Sequence, residues 1–265
     1  MEGLRVTEAS AGLRGQSPRD GEPRLDVDGI TKRFGRLTVL RNVNLRVGPS
    51  EVVALVGENG AGKSSLVACI AHILEADEGE VRLDGEALPS TPDQVRRAGI
   101  EVLWQEHGLC DDLDIVANVF LGRERGRWVI AESDMREDAA SVLGRVGADT
   151  LPLDRPVRGL SRGQRQLVSL GRVLLSAPRV LLLDEPTASL GVVETLRVQG
   201  AIRQCRDAGA GVLLVTHDLD QVYALADRVV VLRDGRVVAD VPPLDVHRDD
   251  IVALMSGIET DSIAR

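Results

Sequence analysis

The chain has 265 residues, 43% of them hydrophobic but only 2% aromatic, so a sizeable core must be built from Val, Leu, Ile and Ala. A formal net charge of −9, with no block rich in Lys and Arg, argues against a broad nucleic-acid-binding face. No apolar run approaches the roughly 18–20 residues needed to cross a bilayer, and the N-terminus lacks the basic-then-apolar pattern of a secretion signal, so the expectation is a soluble protein of the cytoplasm.

Residues 1–23 are rich in Gly, Arg, Ser, Glu and Pro, show no apolar period, and read as a flexible N-terminal tail. From Leu25 onward, short apolar runs alternate with helical stretches. Strands are expected at 25–27, 52–56, 81–83, 100–103, 180–183, 212–215, 229–232 and 237–239. Helices are expected at about 64–75, 133–146, 162–176, 192–208 and 218–226. Several strands are apolar throughout, as in parallel sheets covered on both faces, and the alternation predicts an α/β fold around a mostly parallel sheet. Residues 106–176 carry almost no strand signal and read as a helical insertion within a domain spanning 24–245. At the end, Ile251, Val252, Leu254 and Met255 give 246–265 the pattern of a short helical tail. Cys69, Cys110 and Cys205 lack any Cys-x-x-Cys spacing and indicate neither a disulfide framework nor a zinc site.

Two segments carry chemistry. Gly57-Glu58-Asn59-Gly60-Ala61-Gly62-Lys63-Ser64 fits G-x-x-x-x-G-K-[ST], follows an apolar strand and opens a helical run beginning at Ser65. Glycines let the backbone curl so that successive N–H groups point inward as an anion-binding nest, and the helix N-terminus adds partial positive charge. Lys63, one of only two lysines with Lys32, is placed to reach the β- and γ-phosphates of ATP, and the Ser64 hydroxyl to ligate Mg²⁺. The second segment is the strand 180–183 ending in Asp184, Glu185 and Pro186. Asp184 at the strand tip would hold Mg²⁺, Glu185 would polarise the attacking water as general base, and Pro186 ends the ladder.

Leu160-Ser161-Arg162-Gly163-Gln164 narrows the field, because it resembles the Leu-Ser-Gly-Gly-Gln signature of ATP-binding cassette (ABC) proteins, with Arg162 in place of the first glycine. The resemblance covers about residues 24–258. It implies a P-loop NTPase fold of the ABC ATPase type, with a mostly parallel sheet core, an antiparallel β subdomain and a helical insertion. It further implies that Ser161, Gly163 and Gln164 approach ATP held by a second subunit, that Phe34 stacks on adenine, that Gln105 senses Mg²⁺ and the attacking water, and that His217 contacts the γ-phosphate. Ser189-Leu190-Gly191 departs from the family's usual Ser-Leu-Asp or Ala-Leu-Asp and is similar to one branch of bacterial monosaccharide importers. The stretches Gln105-Glu106-His107-Gly108-Leu109-Cys110-Asp111-Asp112-Leu113-Asp114 and Asn118-Val119-Phe120-Leu121-Gly122-Arg123-Glu124 resemble the same branch, where the helical subdomain grips a permease. The implied protein is an ATPase subunit on the inner face of the cell membrane. It would work as a homodimer or with a paired ATPase, beside permease subunits and an extracytoplasmic solute-binding protein, and without nucleic acid. An importer for an amino acid or nucleoside, or a non-transport ABC ATPase, stays open at this point.

Overall fold

The computed structural model describes residues 22–105, 108–124 and 131–258. Nearly all of the segment read as an N-terminal tail, together with Glu106, His107 and the last seven residues, lies outside them. In chain order, β1 (Leu25–Phe34), β2 (Leu37–Val47) and β3 (Val52–Val56) lead into α1 (Lys63–Ile70), β4 (Glu78–Leu83) and β5 (Glu86–Ala87). Next come α2 (Pro92–Arg97), β6 (Ile100–Leu103), α3 (Ile115–Phe120), α4 (Glu132–Arg145), α5 (Arg162–Leu174) and β7 (Val180–Asp184). The chain continues through α6 (Val192–Asp207), β8 (Gly211–Val215), α7 (Leu219–Leu225), β9 (Arg228–Arg233), β10 (Arg236–Val241) and α8 (Arg248–Ser256).

Two sheets result. A four-stranded antiparallel sheet runs β2-β1-β4-β5, and a six-stranded sheet runs β10-β9-β3-β8-β7-β6. In the second, β9, β3, β8, β7 and β6 are parallel and only β10 runs against its neighbour. Every residue of β3, β7 and β8 is buried, which is why these strands read as unbroken apolar runs rather than alternating ones. Helices α3, α4 and α5 fall between β6 and β7 in the chain and pack on one another and on α6. The fold class expected from the sequence is thus the one observed.

The differences have local causes. Strand β2 is absent from the expected elements although Val43, Leu45 and Val47 are buried in alternation. Its pairing with β1 shifts register three times and Asn42 adopts φ 52, so the period-2 pattern is broken part way along. Helix α1 stops at Ile70 rather than near residue 75, because the chain turns through His72 at φ 52. Helices α2 and α3, six residues each, are too short to show a period. Asp114 nonetheless marks the start of α3, its Oδ1 accepting from Ala117 N at 2.7 Å.

With so few aromatics, Phe120 stands out as the largest fully buried side chain among the described residues. It sits in the cluster that joins α3, α4 and α5 to the sheet. Phe120→Ala is expected to cost about 3–5 kcal/mol, read as a lower midpoint in chemical denaturation; a loss under 1 kcal/mol would mean that this cluster closes over the gap.

Candidate active site

The parallel ladders align Leu55 of β3, Val215 of β8 and Asp184 of β7 in a single row. The segments that follow, from Gly57, His217 and Glu185, therefore leave the sheet side by side at its carboxyl edge, where open α/β sheets bind ligands. β7 lies two strands from β3, about 10 Å away. Between these exits opens a cleft of about 380 Å³ lined by Asn59, Gly60, Gly62, Lys63, Ser64, Ser65, Gln105, Asp184, Glu185 and His217, with Val39 of β2.

The glycine loop is shaped by close contacts. A Cβ at Gly57 would lie 2.2 Å from the Leu232 carbonyl oxygen, and Gly62, at φ 108, would press Leu40 and the Val39 carbonyl. No larger residue fits either place without moving backbone. Glu58 and Ala61 do not line the cleft but close the turn, Ala61 N donating to the Glu58 carbonyl at 3.1 Å. Lys63 begins α1 and is buried. Its Nζ donates to the carbonyls of Gly57 at 2.7 Å and Glu58 at 2.9 Å. Burial lowers the Lys63 pKa, and the nearby Glu185 and Asp184 carboxylates work against that shift.

Asp184 is 4% exposed. Burial raises its pKa, opposed by a hydrogen bond from the Ser64 side chain and by the Lys63 charge. Lysine, serine and aspartate thus meet in one place. Glu185 follows at φ 51, a left-handed conformation uncommon for a residue with a side chain. Its N–H donates to the Val215 carbonyl at 3.0 Å, and its Oε1 lies 2.7 Å from Nδ1 of His217.

The remaining predicted residues stand outside this cleft. Phe34, at the end of β1, is 49% exposed, with Lys32 Nζ 5.5 Å from its ring centre. Ser161 is the N-cap of α5 in a capping box: its hydroxyl accepts from Gln164 N at 3.2 Å, and Gln164 Oε1 accepts from Ser161 N at 2.9 Å. Gly163 is packed from outside by Glu194, whose Cγ would be 2.6 Å from any Cβ there. Gly191, the N-cap of α6, supplies no side-chain cap, and the Glu194 carboxylate lies against it as well. Val39 is the lining residue that sequence reasoning missed; it lies in β2, where register shifts break the apolar alternation that would have marked the strand.

A glycine-and-lysine loop between β3 and α1, facing two acids at the tip of β7, defines a P-loop nucleotide-binding fold. The chain belongs to the ABC transporter family, whose sequence profile matches residues 40–188. It is 40% identical over 244 residues to the ribose import ATP-binding protein RbsA 1 of Streptomyces coelicolor, covering 91% of this chain and 48% of that protein. It is 37% identical over 246 residues to the fructose import ATP-binding protein FrcA of Rhizobium meliloti, covering 89% of this chain and 95% of that one. The chain therefore spans about half the length of the ribose relative and nearly all of the fructose relative. Among solved structures, a nucleotide-free ATP-binding cassette from an ABC transporter superposes with a TM-score of 0.77 at 26% identity, over 89% of this chain and 96% of that one.

Proposed function

We propose that this chain hydrolyses ATP to drive a membrane importer for a monosaccharide. The observation that carries the reading is the convergence of Lys63, Ser64, Asp184, Glu185 and His217 on one cleft. ATP would lie with its phosphates along Gly57–Ser65 and its adenine on the exposed Phe34 ring. Lys63 would meet the β- and γ-phosphates, Glu185 would take the proton of the attacking water, and His217, already bonded to Glu185, would hold that carboxylate toward the γ-phosphate.

The oxygen donors present fit Mg²⁺, a hard cation that keeps several waters and shares substrate phosphates. Ser64, Asp184 and Gln105, which line the same cleft, would hold it. Among the described residues no group of three or more His, Cys, Asp or Glu could bind an ion alone, consistent with an ion that arrives with the nucleotide. When bound it would neutralise charge on the transferring phosphoryl group. Asp184→Asn is expected to melt near or above the parent temperature without ligand, since burial already disfavours the charged carboxylate. The variant should also lose most of the rise in melting temperature that Mg-ATP gives the parent chain. A full Mg-ATP response in the variant would remove Asp184 from the metal set.

Ser161, Gly163 and Gln164 are outside the cleft of their own chain, which supports their serving the nucleotide of a second subunit, in a homodimer or beside a paired ATPase. A second cleft of about 250 Å³, between α2, β6 and α5, combines exposed Ile73, Trp104 and three arginines, Arg96, Arg123 and Arg172. It adjoins Gln105 and offers a seat for a permease segment; a solute-binding protein would act further out. Among the described residues no helix is long and apolar enough to cross a membrane, in keeping with a peripheral place on the cytoplasmic face. We take 24–245 as the ATPase domain, 106–176 as its helical subdomain, and 246–265 as a tail whose described part, to residue 258, holds α8. Sugar import is tested by reconstituting the chain with its permease and following ATP-dependent uptake of ribose, xylose and fructose. Uptake of an amino acid or nucleoside in their place would replace the sugar reading.

A further inference from the structure

The turn that carries Glu185 is held from two sides by side chains that no catalytic role yet explains. Gln166, on α5, is 3% exposed, and its Nε2 donates to the Pro186 carbonyl at 2.6 Å. Gln221, on α7, is 1% exposed, and its Nε2 donates to the Thr187 hydroxyl at 3.0 Å. Each glutamine keeps its amide oxygen buried without a hydrogen-bond partner. That burial carries a desolvation cost, so an apolar side chain of the same size would pack more favourably unless the NH₂ donor mattered. Both donors act on the two residues that directly follow Glu185.

The residue they secure is one whose backbone needs securing. Glu185 at φ 51 is followed by Ser189 at φ 60, and left-handed residues of this kind persist only where the surroundings over-determine them. Upstream, Glu185 N is tied to β8; within the turn, Ala188 N donates to the Glu185 carbonyl at 3.1 Å and Leu190 N to the Thr187 carbonyl at 3.2 Å. Gln166 and Gln221 are the side-chain ties to neighbouring helices. Gln166 stands five residues beyond Ser161 on the same helix, about 7.5 Å along a rigid rod. Gln221 stands four residues beyond His217.

We propose that Gln166 and Gln221 are positioning residues for Glu185: two buried amides clasp Pro186 and Thr187, so the carboxylate takes its place from the helices that follow Ser161 and His217. The inference rests on Glu185 being the general base. Through this clasp, any shift of α5 when Ser161 meets the nucleotide of a second subunit is passed to the base of its own chain.

The test uses the full-length chain and steady-state ATP hydrolysis, with nucleotide affinity measured separately. Gln166→Met keeps size and removes the donor; kcat is expected to fall at least tenfold, toward the roughly 10²-fold that a misplacement of about 1 Å costs, with KM and ATP affinity within about twofold. Gln221→Met and Thr187→Val break the same bond, so their effects on kcat should not add in the double variant, while Thr187→Ser, which keeps the hydroxyl, should restore turnover. Full turnover in Gln166→Met, additive losses in the Gln221–Thr187 pair, or parallel losses of kcat and affinity would overturn the clasp. Glu185→Gln separates the two readings: normal turnover there removes the base itself, whereas an inactive Glu185→Gln beside a fully active Gln166→Met removes only the clasp. Should Gln166→Met fail to fold, the Thr187→Val and Thr187→Ser pair, on a half-buried residue, decides the question.

Discussion

Glu185→Gln is expected to bind ATP with near-parental affinity and to hydrolyse it about 10²–10⁴-fold more slowly, the usual worth of a general base. Glutamine matches glutamate in size, so the turn after β7 need not move, and its amide oxygen can still meet Nδ1 of His217, which lies 2.7 Å from the present Oε1. What it cannot do is take a proton. Binding contacts from the glycine loop are untouched, so the complex should accumulate rather than turn over. With ATP and Mg²⁺ added, size-exclusion chromatography should then show a two-subunit species that persists for many turnover times of the parent. Undiminished hydrolysis would show that the proton goes elsewhere and would remove Glu185 from the chemistry.

Lys63→Ala is expected to weaken ATP binding about 10²-fold or more. Two charge-assisted hydrogen bonds to phosphate oxygens are together worth about 3 kcal/mol or more, and each 1.4 kcal/mol is a factor of ten. The buried lysine is costly to the free chain: burial lowers its pKa, and its ammonium is partnered by two backbone carbonyls, Gly57 and Glu58. The variant should therefore lose affinity in calorimetric titration without a matching loss of thermal stability in the absence of nucleotide. An unchanged affinity would refute the phosphate cradle altogether.

Much of this was legible in the sequence because the informative residues obey local rules. Strands β3, β7 and β8 announce themselves as apolar runs, and the glycine loop and the Asp184–Glu185 pair stand directly at their ends. Strand β2 was not legible, since its bulges scramble the alternation, and with it Val39 was lost from the site. The clasp was equally hidden: Gln166 and Gln221 lie 55 positions apart in the chain, and nothing in either neighbourhood marks a glutamine as buried. Glu194 lying over Gly163 is a contact between segments that only folding brings together. Residues placed by one strand tip were readable; those placed by which helix crosses which turn were not.

The shared row of Leu55, Val215 and Asp184 has an architectural consequence. The separation between the tips of β3 and β7 is set in whole interstrand steps by ladder hydrogen bonds, and the glycine loop then carries Lys63 from the first tip toward the acid at the second. Insertions or deletions between β6 and α5 leave that row of strand tips in register, whereas exchange of α5 itself would remove Gln166 and its bond to the Pro186 carbonyl. A scaffold organised in this way lets the helices on its flank vary while the strand tips keep their register.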